Sequence, residues 1–449
     1  MKREGERQPS QKSIYKILSM YRWIVFKMMI VIMFVRTNNS NDMVSTCAYL
    51  GPDVRQSVAS HCDISKLTSD EMNEMNRWAD EMNKSFKLSS CASEMEQVFR
   101  EEWLHVFRQD ACDFSKYVMP TFNEESFLTP NFREIRTEYP VVAYFIVAYR
   151  QPVFLERMIR RLQSEDGRNM ILIHIDVRTS PSFELAVKRI ASKIPNVRVV
   201  RFGTIVYGGS TVVQYVTSAM RWFEENHLNW NVFVALTGQD YPLLSASQFS
   251  DMLLTEHGNR TWIGERDENM ECGMLDERYR SASPTLQPQV GRSTHFHYPC
   301  PGDKELYRIK NRHQWLWDDE KFPLFCKGTT LSTGIFHRNE VRFFLNDESA
   351  RKAYAFFQFT MIPEEHMWIS ILTNLVSSDR VVNRAPCFMS WNKGYKDEGD
   401  MFHNTFLTMG QVTEIKEAFC AGKVFARKFD LAIDSDVLDW IDDGSELKC

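Results

Sequence analysis

The sequence lacks the short motifs that mark several common enzyme classes. No G-x-G-x-x-G follows the first long apolar run, and the chain has neither a P-loop nor a G-x-S-x-G around a nucleophilic serine. These absences remove support for dinucleotide oxidoreductases, ATPases and hydrolases that use a nucleophile elbow. Long basic runs are also missing and the net charge is −5. Neither nucleic acid nor an anionic membrane surface is therefore an expected partner.

None of the ten cysteines forms a C-x-x-C pair, which argues against zinc held by paired cysteines and against thioredoxin-like chemistry. An even number of widely scattered cysteines is typical of disulfides formed in an oxidising compartment. Glycosylation triplets at Asn38, Asn83 and Asn259 agree with such a location. The composition therefore favours a lumenal or extracellular protein.

The N-terminus has the features of a membrane anchor. Residues 1–12 carry several basic side chains, and the apolar stretch 13–35 has roughly the ~20 residues that span a bilayer. The basic flank predicts a cytoplasmic tail, an uncleaved signal anchor and a lumenal remainder. Residues 36–138 are polar and rich in Met and Glu, so we interpret them as a stem and a cystine-tied N-terminal region. A catalytic domain is expected over 139–449.

Apolar runs alternate with amphipathic segments after residue 139. The pattern predicts strand 140–149, helix 154–163, strand 170–176, helix 183–194, strand 197–202, helix 211–227 and strand 231–238. Strands that are apolar on both faces and alternate with helices are typical of a parallel sheet that is covered on both sides. We therefore expect an α/β fold.

Polar residues follow three of these strands. Asp176 ends the second, Tyr207-Gly208-Gly209 follows the third, and Gly238-Gln239-Asp240 follows the fourth. Each group can be a turn or a helix cap. Ligands in open α/β sheets bind beyond the carboxyl ends of the strands, so three such groups on one rim favour a nucleotide site.

Two further groups contain metal-ligand side chains. Asp434-Ser435-Asp436 is a D-x-D triplet that lies far in sequence from the rim, and we interpret it as a helix cap. His295-Phe296-His297 is too isolated to define a metal site. The sequence thus predicts no metal centre.

Eight segments appear in a characteristic order. They are YFIVAYRQP, IHID, VYGGS, LTGQDYPLLS, GIFHRNEV, PEEHMW, the W-x-x-x-Y-x-x-E-G-D stretch 391–400, and FARKFD. Together they resemble the core-2/I-branching β-1,6-N-acetylglucosaminyltransferase family, which also includes peptide O-xylosyltransferases. The resemblance implies a GT-A-like fold with a mostly parallel sheet, a UDP-sugar donor, no catalytic metal and a type II Golgi membrane protein.

The resemblance places the catalytic base at Glu365, which follows Pro363 and Glu364. A carboxylate that accepts the proton of an attacking sugar hydroxyl contributes ~10²–10⁴-fold to the rate. Attack opposite the leaving diphosphate inverts the anomeric centre. Glu364 is the alternative base, and the whole stretch can also be read as an ordinary helix start.

The resemblance also implies donor contacts at four positions, which are Asp176, Tyr207, Asp240 and Lys428. An ammonium group suits a diphosphate oxygen. Family members pair this lysine with an upstream arginine, but Thr405 stands at the ungapped position here and His403 is the nearest cationic candidate.

For the acceptor, Trp391 matches an aromatic residue that stacks on sugar, and Tyr395 is offset from a second. Glu265 and Arg278 are looser candidates for binding acceptor hydroxyls. Each of these side chains can instead be purely structural.

The preferred interpretation is transfer of N-acetylglucosamine from UDP-GlcNAc to the 6-hydroxyl of a glycoprotein O-glycan. FARKFD resembles the xylosyltransferases equally, so a peptide O-xylosyltransferase that uses UDP-xylose is the alternative within the family. A lumenal carbohydrate-binding protein without turnover is the alternative outside it. Homodimer formation is left open.

Overall fold

In the computed structural model, the described residues are 61–84, 91–117, 119–133, 137–226, 228–255, 260–263, 271–274, 292, 295–300, 303, 305–311, 315–327, 334–396, 402–445 and 447–449. They belong to one compact unit, Tyr49–Cys449. No helix among them has the length and apolar character needed to cross a membrane. The predicted anchor at 13–35 lies outside the described residues.

The described residues form sixteen strands and eleven α-helices. The strands are β1 (Val142–Ala148), β2 (Met170–Ile175), β3 (Val197–Val200), β4 (Val232–Thr237), β5 (Asp240–Pro242), β6 (Thr261–Ile263), β7 (Glu271–Met274), β8 (His295–Cys300), β9 (Glu305–Asn311), β10 (Leu324–Lys327), β11 (Gly334–His337), β12 (Val381–Asn383), β13 (Cys387–Met389), β14 (Trp391–Lys396), β15 (Phe402–Asn404) and β16 (Phe425–Arg427). The helices are α1 (Ser69–Asn83), α2 (Ala92–Phe107), α3 (Pro152–Leu162), α4 (Pro181–Lys193), α5 (Thr211–Glu225), α6 (Ala246–Leu254), α7 (Arg338–Asn346), α8 (Glu348–Phe357), α9 (Met367–Leu375), α10 (Val412–Cys420) and α11 (Asp436–Asp443).

A seven-stranded sheet organises the molecule, in the order β12-β6-β11-β4-β1-β2-β3. Strands β3, β2, β1 and β4 are parallel, with Phe145 opposite Leu172 on one side and opposite Ala235 on the other. Only β11 runs antiparallel to its two neighbours in this sheet. The predicted α/β fold with a mostly parallel sheet is therefore confirmed.

Helices cover both faces of this sheet. Successive residues of β1 point to opposite sides, so Ala143 and Phe145 join a core with α5, α7, α8 and α9. Tyr144 and Ile146 join a second core with α3, α4, α6 and α11. All seven residues of β1 are buried, which explains why its sequence is continuously apolar rather than alternating.

Disulfides connect distant parts of the chain. Cys62 bonds to Cys112 and Cys420 bonds to Cys449. Cys91, at the start of α2, bonds to Cys300 at the end of β8. Cys326 is also disulfide-bonded. The predicted disulfide framework is thus confirmed, and it ties the N-terminal helices to the rest of the protein.

A small sheet in the order β13-β16-β5 packs beside the main one. Strand β16 pairs antiparallel with β5, and this register sets Arg427 opposite Asp240. The pairing matters because β5 directly follows the carboxyl end of β4. A segment from the C-terminus is thereby brought to the rim where the sequence predicted a ligand site.

Candidate active site

The order of the parallel strands reverses at β1: β2 and β3 lie on one side of it, and β4 lies on the other. Ligands in open α/β sheets bind at such a switch point. Here Gly238 donates its backbone N–H to Val147 at 2.7 Å, and Phe429 donates to the carbonyl of Gln239 at 3.0 Å. The segment that contains FARKFD therefore lies against the switch point.

Asp176 lies at the end of β2 with its carboxylate almost wholly buried. Arg178 Nη2 lies 2.6 Å from Oδ2, and the Ile205 amide donates to the same oxygen at 2.9 Å. Burial alone would raise the pKa of Asp176, but these hydrogen bonds outweigh it and hold the pKa below its ordinary value. The carboxylate thus fixes the loop that leads to Tyr207.

The Tyr207 loop lies between the β8–β9 hairpin and the acidic segment. The Tyr207 side chain is 69% exposed. Gly208 has a φ of +76°, and its carbonyl accepts the Ile362 amide at 2.7 Å. A Cβ on Gly209 would lie 2.5 Å from Pro299, so only glycine permits this close approach. The predicted donor loop is therefore joined directly to the segment that precedes Glu365.

The two predicted acids form a single 3-10 turn, Pro363–Glu365, after Ile362 in a left-handed conformation. Glu364 Oε2 is enclosed and has no hydrogen-bond partner among the described residues. Burial raises the pKa of Glu364 to about 7, and the charge of Glu365 adds to this effect. The acids are therefore not the start of an ordinary solvated helix.

Arg292 holds the second acid in place. Its Nη1 lies 2.5 Å from Glu365 Oε2, and both side chains are about one-fifth exposed. The same nitrogen lies 3.4 Å from His366 Nε2. The His366 Nδ1 lies 3.1 Å from the carbonyl of Cys326, so Nδ1 carries the proton and Nε2 accepts from Arg292. Sequence reasoning missed Arg292 and His366, and no motif marks Arg292.

A cluster of cations lies where β1 and β16 end. Lys428 is half-buried, with Nζ 4.9 Å from the centre of the Phe406 ring. Burial lowers the pKa of Lys428, and the nearby charges of Arg427 and Arg150 lower it further. Arg150 is paired with Asp430 at 3.3 Å. Three cations thus converge, as a site for a diphosphate requires.

Asp240 is fully buried. Its Oδ2 accepts the Thr237 amide at 2.5 Å, and its Oδ1 lies 3.5 Å from Arg427 Nε. The side chain is therefore directed into the protein and positions Arg427. The structure thus pairs Asp240 with Arg427, and its predicted contact with the donor stays a prediction.

The acids and the cations belong to one electrostatic environment. Arg292 and Arg427 each oppose the rise in the pKa of Glu364. Arg292 comes from the segment before β8, Glu364 from the turn before α9, and Arg427 from β16. Three distant parts of the sequence therefore contribute to one site at the rim of the sheet.

The sequence left open which residue replaces the family's second cation, with Thr405 at the ungapped position and His403 as the nearest cationic candidate. Thr405 donates its amide and its hydroxyl to the carbonyl of Ser390, at 2.8 and 3.3 Å. The His403 side chain lies outside the described residues. Arg150 and Arg427 supply positive charge beside Lys428. Sequence reasoning missed Arg150, although it directly follows the first strand in YFIVAYRQP.

The acceptor candidates are only partly described. Trp391 is partly buried and lines a cavity of about 350 Å³ with Phe388, Ser390, Glu414 and Lys423. The backbone of Tyr395 lies in β14, but its side chain lies outside the described residues, as do Glu265 and Arg278. The structure therefore places Trp391 on a cavity, and its predicted role in acceptor binding stays a prediction.

The two groups of metal-ligand side chains have structural roles. Asp434 Oδ1 accepts the Asp436 amide at 2.9 Å at the start of α11, which agrees with the predicted helix cap. His295 accepts from Arg308 at 2.8 Å, and His297 is buried. Among the described residues, neither group forms a metal-ligand cluster.

Comparison with known proteins identifies the family. Residues 142–416 match the family described as Core-2/I-Branching enzyme. The chain is 21% identical over 315 residues to a mouse protein (Mus musculus) named beta-1,3-galactosyl-O-glycosyl-glycoprotein beta-1,6-N-acetylglucosaminyltransferase 4, covering 66% of this chain and 63% of the relative. It is 22% identical over 340 residues to rat (Rattus norvegicus) xylosyltransferase 2, covering 69% of this chain and 35% of the relative.

The chain thus spans less than two thirds of the length of these relatives. Among solved structures, a bifunctional glycosyltransferase named WbbM matches with a TM-score of 0.33 and 11% identity, covering 80% of this chain and 60% of that one. The family match includes the parallel sheet, the Tyr207 loop and the acidic turn, and it extends over more than half of the sequence. The chain therefore belongs to the core-2/I-branching enzyme family of glycosyltransferases.

Proposed function

We propose that this protein is an inverting transferase that moves N-acetylglucosamine from UDP-GlcNAc, in β-1,6 linkage, to an O-glycan acceptor. Glu365 is the general base in this proposal. The observation that carries it is the hydrogen bond from the Ile362 amide to the Gly208 carbonyl, because it holds the acidic turn against the donor loop. A base and a donor sugar must be neighbours for direct displacement.

In the proposed reaction, the acceptor 6-hydroxyl attacks the anomeric carbon while Glu365 accepts its proton. The bond between that carbon and the diphosphate oxygen breaks, and UDP leaves. Lys428, with Arg427 and Arg150, neutralises the charge that develops on the diphosphate. Asp176 and the exposed Tyr207 ring are assigned to the nucleotide end of the donor, and Asp240 to the support of Arg427.

Arg292 gives the base its orientation. A guanidinium stays charged at every physiological pH and binds a carboxylate with a fixed geometry, so Arg292 directs the Glu365 carboxylate through Oε2. Glu364 differs, since its pKa is raised to about 7 and its Oε2 is enclosed. We therefore assign Glu364 to support of the turn and keep Glu365 as the base.

A peptide O-xylosyltransferase that uses UDP-xylose is the second candidate. The similarity to rat xylosyltransferase 2 favours it, because the sequence identity to that protein is 22% and the identity to the branching relative is 21%. The acid and the cations would serve both reactions, since the leaving group is the same. The two candidates differ only in the sugar and in the acceptor.

A panel of UDP-sugars and acceptors tests this proposal. The lumenal portion is incubated with UDP-GlcNAc or UDP-xylose, together with O-glycan or serine-peptide acceptors, and products are identified by mass spectrometry. β-1,6-linked N-acetylglucosamine on the O-glycan is expected. Xylose transfer to the peptide alone supports the second candidate, and absence of any transfer contradicts both.

The same assay tests the proposed independence from a catalytic metal. Activity is expected to persist in EDTA, because three cations of the protein face the diphosphate. Loss of activity that manganese or magnesium restores would contradict this part of the proposal.

We further propose that residues 13–35 anchor the protein in the Golgi membrane, with residues 139–449 in the lumen. Microscopy and protease protection of intact vesicles test this location.

A further inference from the structure

A second group of titratable side chains is buried in the N-terminal region, outside the proposed active site. It consists of His61, which precedes α1, and of Glu101, Glu102 and His105 on α2. Their exposed fractions are 3%, 8%, 1% and 2%. Side chains of this kind are seldom fully buried together without a partner that balances their charge. We call this group the N-terminal histidine cluster.

Three ligand atoms in the cluster converge on one point. His61 Nε2 lies 2.9 Å from His105 Nε2 and 3.3 Å from Glu101 Oε1. His105 Nε2 lies 3.9 Å from the same carboxylate oxygen. Glu101 and His105 are four residues apart, so they occupy the same face of α2.

These separations suit a tetrahedral metal ion. Zinc binds imidazole nitrogen and carboxylate oxygen at roughly 2.0–2.2 Å, which places two ligand atoms about 3.3 Å apart in a tetrahedral site. Each observed separation is within about 0.6 Å of that value. Small side-chain rotations would therefore bring all three atoms into coordination.

A second carboxylate lies on the Nδ1 side of His105. Histidine ligands usually direct their other ring nitrogen at a carboxylate, which fixes the ring and raises its basicity. Here Glu102 Oε2 lies 3.8 Å from His105 Nδ1, which is longer than a hydrogen bond, so a small side-chain rotation is needed to form this contact. Trp315 Nε1 donates to the other oxygen of Glu102 at 3.0 Å, and this bond fixes the position of the carboxylate.

Charge balance also favours a cation. Glu101 and Glu102 are adjacent carboxylates, and their exposed fractions are only 8% and 1%. Aromatic rings surround the cluster, with the His61 and Tyr117 ring centres 4.9 Å apart and the His105 and Phe114 centres 5.0 Å apart. A divalent ion would offset the cost of burying carboxylate charge among these rings.

Two cysteines adjoin the cluster but are not thiolate ligands. The ligand atoms of His61, Cys62, His105 and Cys112 lie within 4.8 Å of one another. Cys62 and Cys112 are joined in a disulfide, and zinc binds the thiolate form of cysteine. The disulfide therefore leaves nitrogen and oxygen as the donor atoms and holds the His61 segment close to the end of α2.

We propose that the N-terminal histidine cluster is a structural site for a divalent metal ion, with zinc as the best match. His61 Nε2, His105 Nε2 and Glu101 Oε1 are the protein ligands, and water completes the coordination. Glu102 orients His105 as a positioning residue. The ion joins the segment before α1 to α2, and it takes no part in glycosyl transfer.

Metal analysis of the full chain, purified without a histidine tag, tests this proposal. The protein is dialysed against zinc and then against buffer with a weak chelator, and zinc is measured by mass spectrometry. About one zinc per chain is expected. His105→Ala and Glu101→Gln are expected to lose it, whereas His295→Ala, a control at a partly buried histidine on β8, is expected to retain it.

Thermal unfolding separates a lost ligand from a misfolded variant. Zinc is expected to raise the melting temperature of the chelated wild type by several degrees and to leave that of Glu101→Gln unchanged. Glu101→Gln preserves side-chain size, so it is the variant that remains folded if His105→Ala does not. Three results would overturn the proposal: no zinc in the wild type, full retention by Glu101→Gln, or binding only after reduction of the disulfides.

Discussion

Two of the four pairs of adjacent glutamates in this protein, Glu101-Glu102 and Glu364-Glu365, lie in different surroundings. Glu101 and Glu102 lie inside α2 beside two imidazoles. Glu364 and Glu365 lie in a 3-10 turn beside Arg292, at the rim of the sheet. In each pair burial raises the pKa of the first acid. The local sequence EE is therefore no guide to function.

The neighbouring nitrogen-containing side chains account for the difference. Imidazoles are neutral ligands near neutral pH and can coordinate a metal. Guanidinium groups keep their charge and cannot bind a metal, and Arg292 contacts the Glu365 carboxylate at Oε2. The first pair is consequently suited to an ion that stays in place, and the second pair to a proton that is taken up and released during each turnover.

The largest expected effect separates the two members of the second pair. Glu365→Gln is expected to lower kcat by ~10²–10⁴-fold with little change in the KM for the donor, because it removes the base. Initial rates with UDP-sugar and acceptor measure this. Glu364→Gln is the matched control, and a greater loss in that variant would reverse the assignment.

The next effect concerns stability and pH. The folded pKa of Glu364 is about 7, above its ordinary value of 4.5, so protonation stabilises the folded state. The stabilisation is complete below pH 4.5 and is lost as pH rises to about 7. Glu364→Gln, which cannot ionise, is expected to gain about 3 kcal/mol relative to wild type over that range.

Urea unfolding of both proteins between pH 4.5 and 8 measures this change. Equal pH dependence in wild type and Glu364→Gln would show that another group is responsible. Glu365→Gln serves as the control at the adjacent position. It removes a charge that raises the pKa of Glu364, so its own pH dependence is expected to be slightly weaker than that of wild type.

A smaller loss is expected at the cations. Lys428→Met is expected to lower kcat/KM about 10- to 100-fold, because a charged hydrogen bond to the diphosphate is lost. Arg150→Gln is expected to have a similar or weaker effect, since Arg150 is also paired with Asp430. Steady-state kinetics with varied donor measures both. Wild-type kinetics in Lys428→Met would exclude it from the donor site.

The smallest effect is expected in the first pair. Glu102→Gln keeps an oxygen that can accept from Trp315 Nε1, so it is expected to cost under about 1 kcal/mol of stability. Transfer activity is expected to remain within about twofold of wild type. The same kinetic assay measures this, and a loss comparable to that of Glu365→Gln would end the distinction between the pairs.

Local patterns predicted the sheet well because each strand is determined by its own residues. The run VAYFIVA is buried on both faces, and the predicted strand at 140–149 differs from β1 by two residues or fewer at each end. The cap at Asp434 was equally predictable, because an aspartate at a helix start accepts hydrogen bonds from the backbone amides two and three residues later.

The site was only partly predictable because its parts are distant in sequence. PEEHMW suggested a base, but nothing local indicates that Arg292 would pair with Glu365. Asp240 follows a strand as a ligand residue would, yet the register of β5 with β16 directs it to Arg427. The N-terminal histidine cluster lacks any metal motif, since 44 residues separate His61 from His105.

The disulfide between Cys91 and Cys300 has a consequence for proteolysis. A single cut at any peptide bond between residues 113 and 299 separates Cys91 from Cys300 along the chain, while the disulfide still joins the two fragments. A nicked protein of this kind migrates as one species without reductant and as two with it. Cleavage within that span would therefore not release the β8–β9 hairpin from the N-terminal helices.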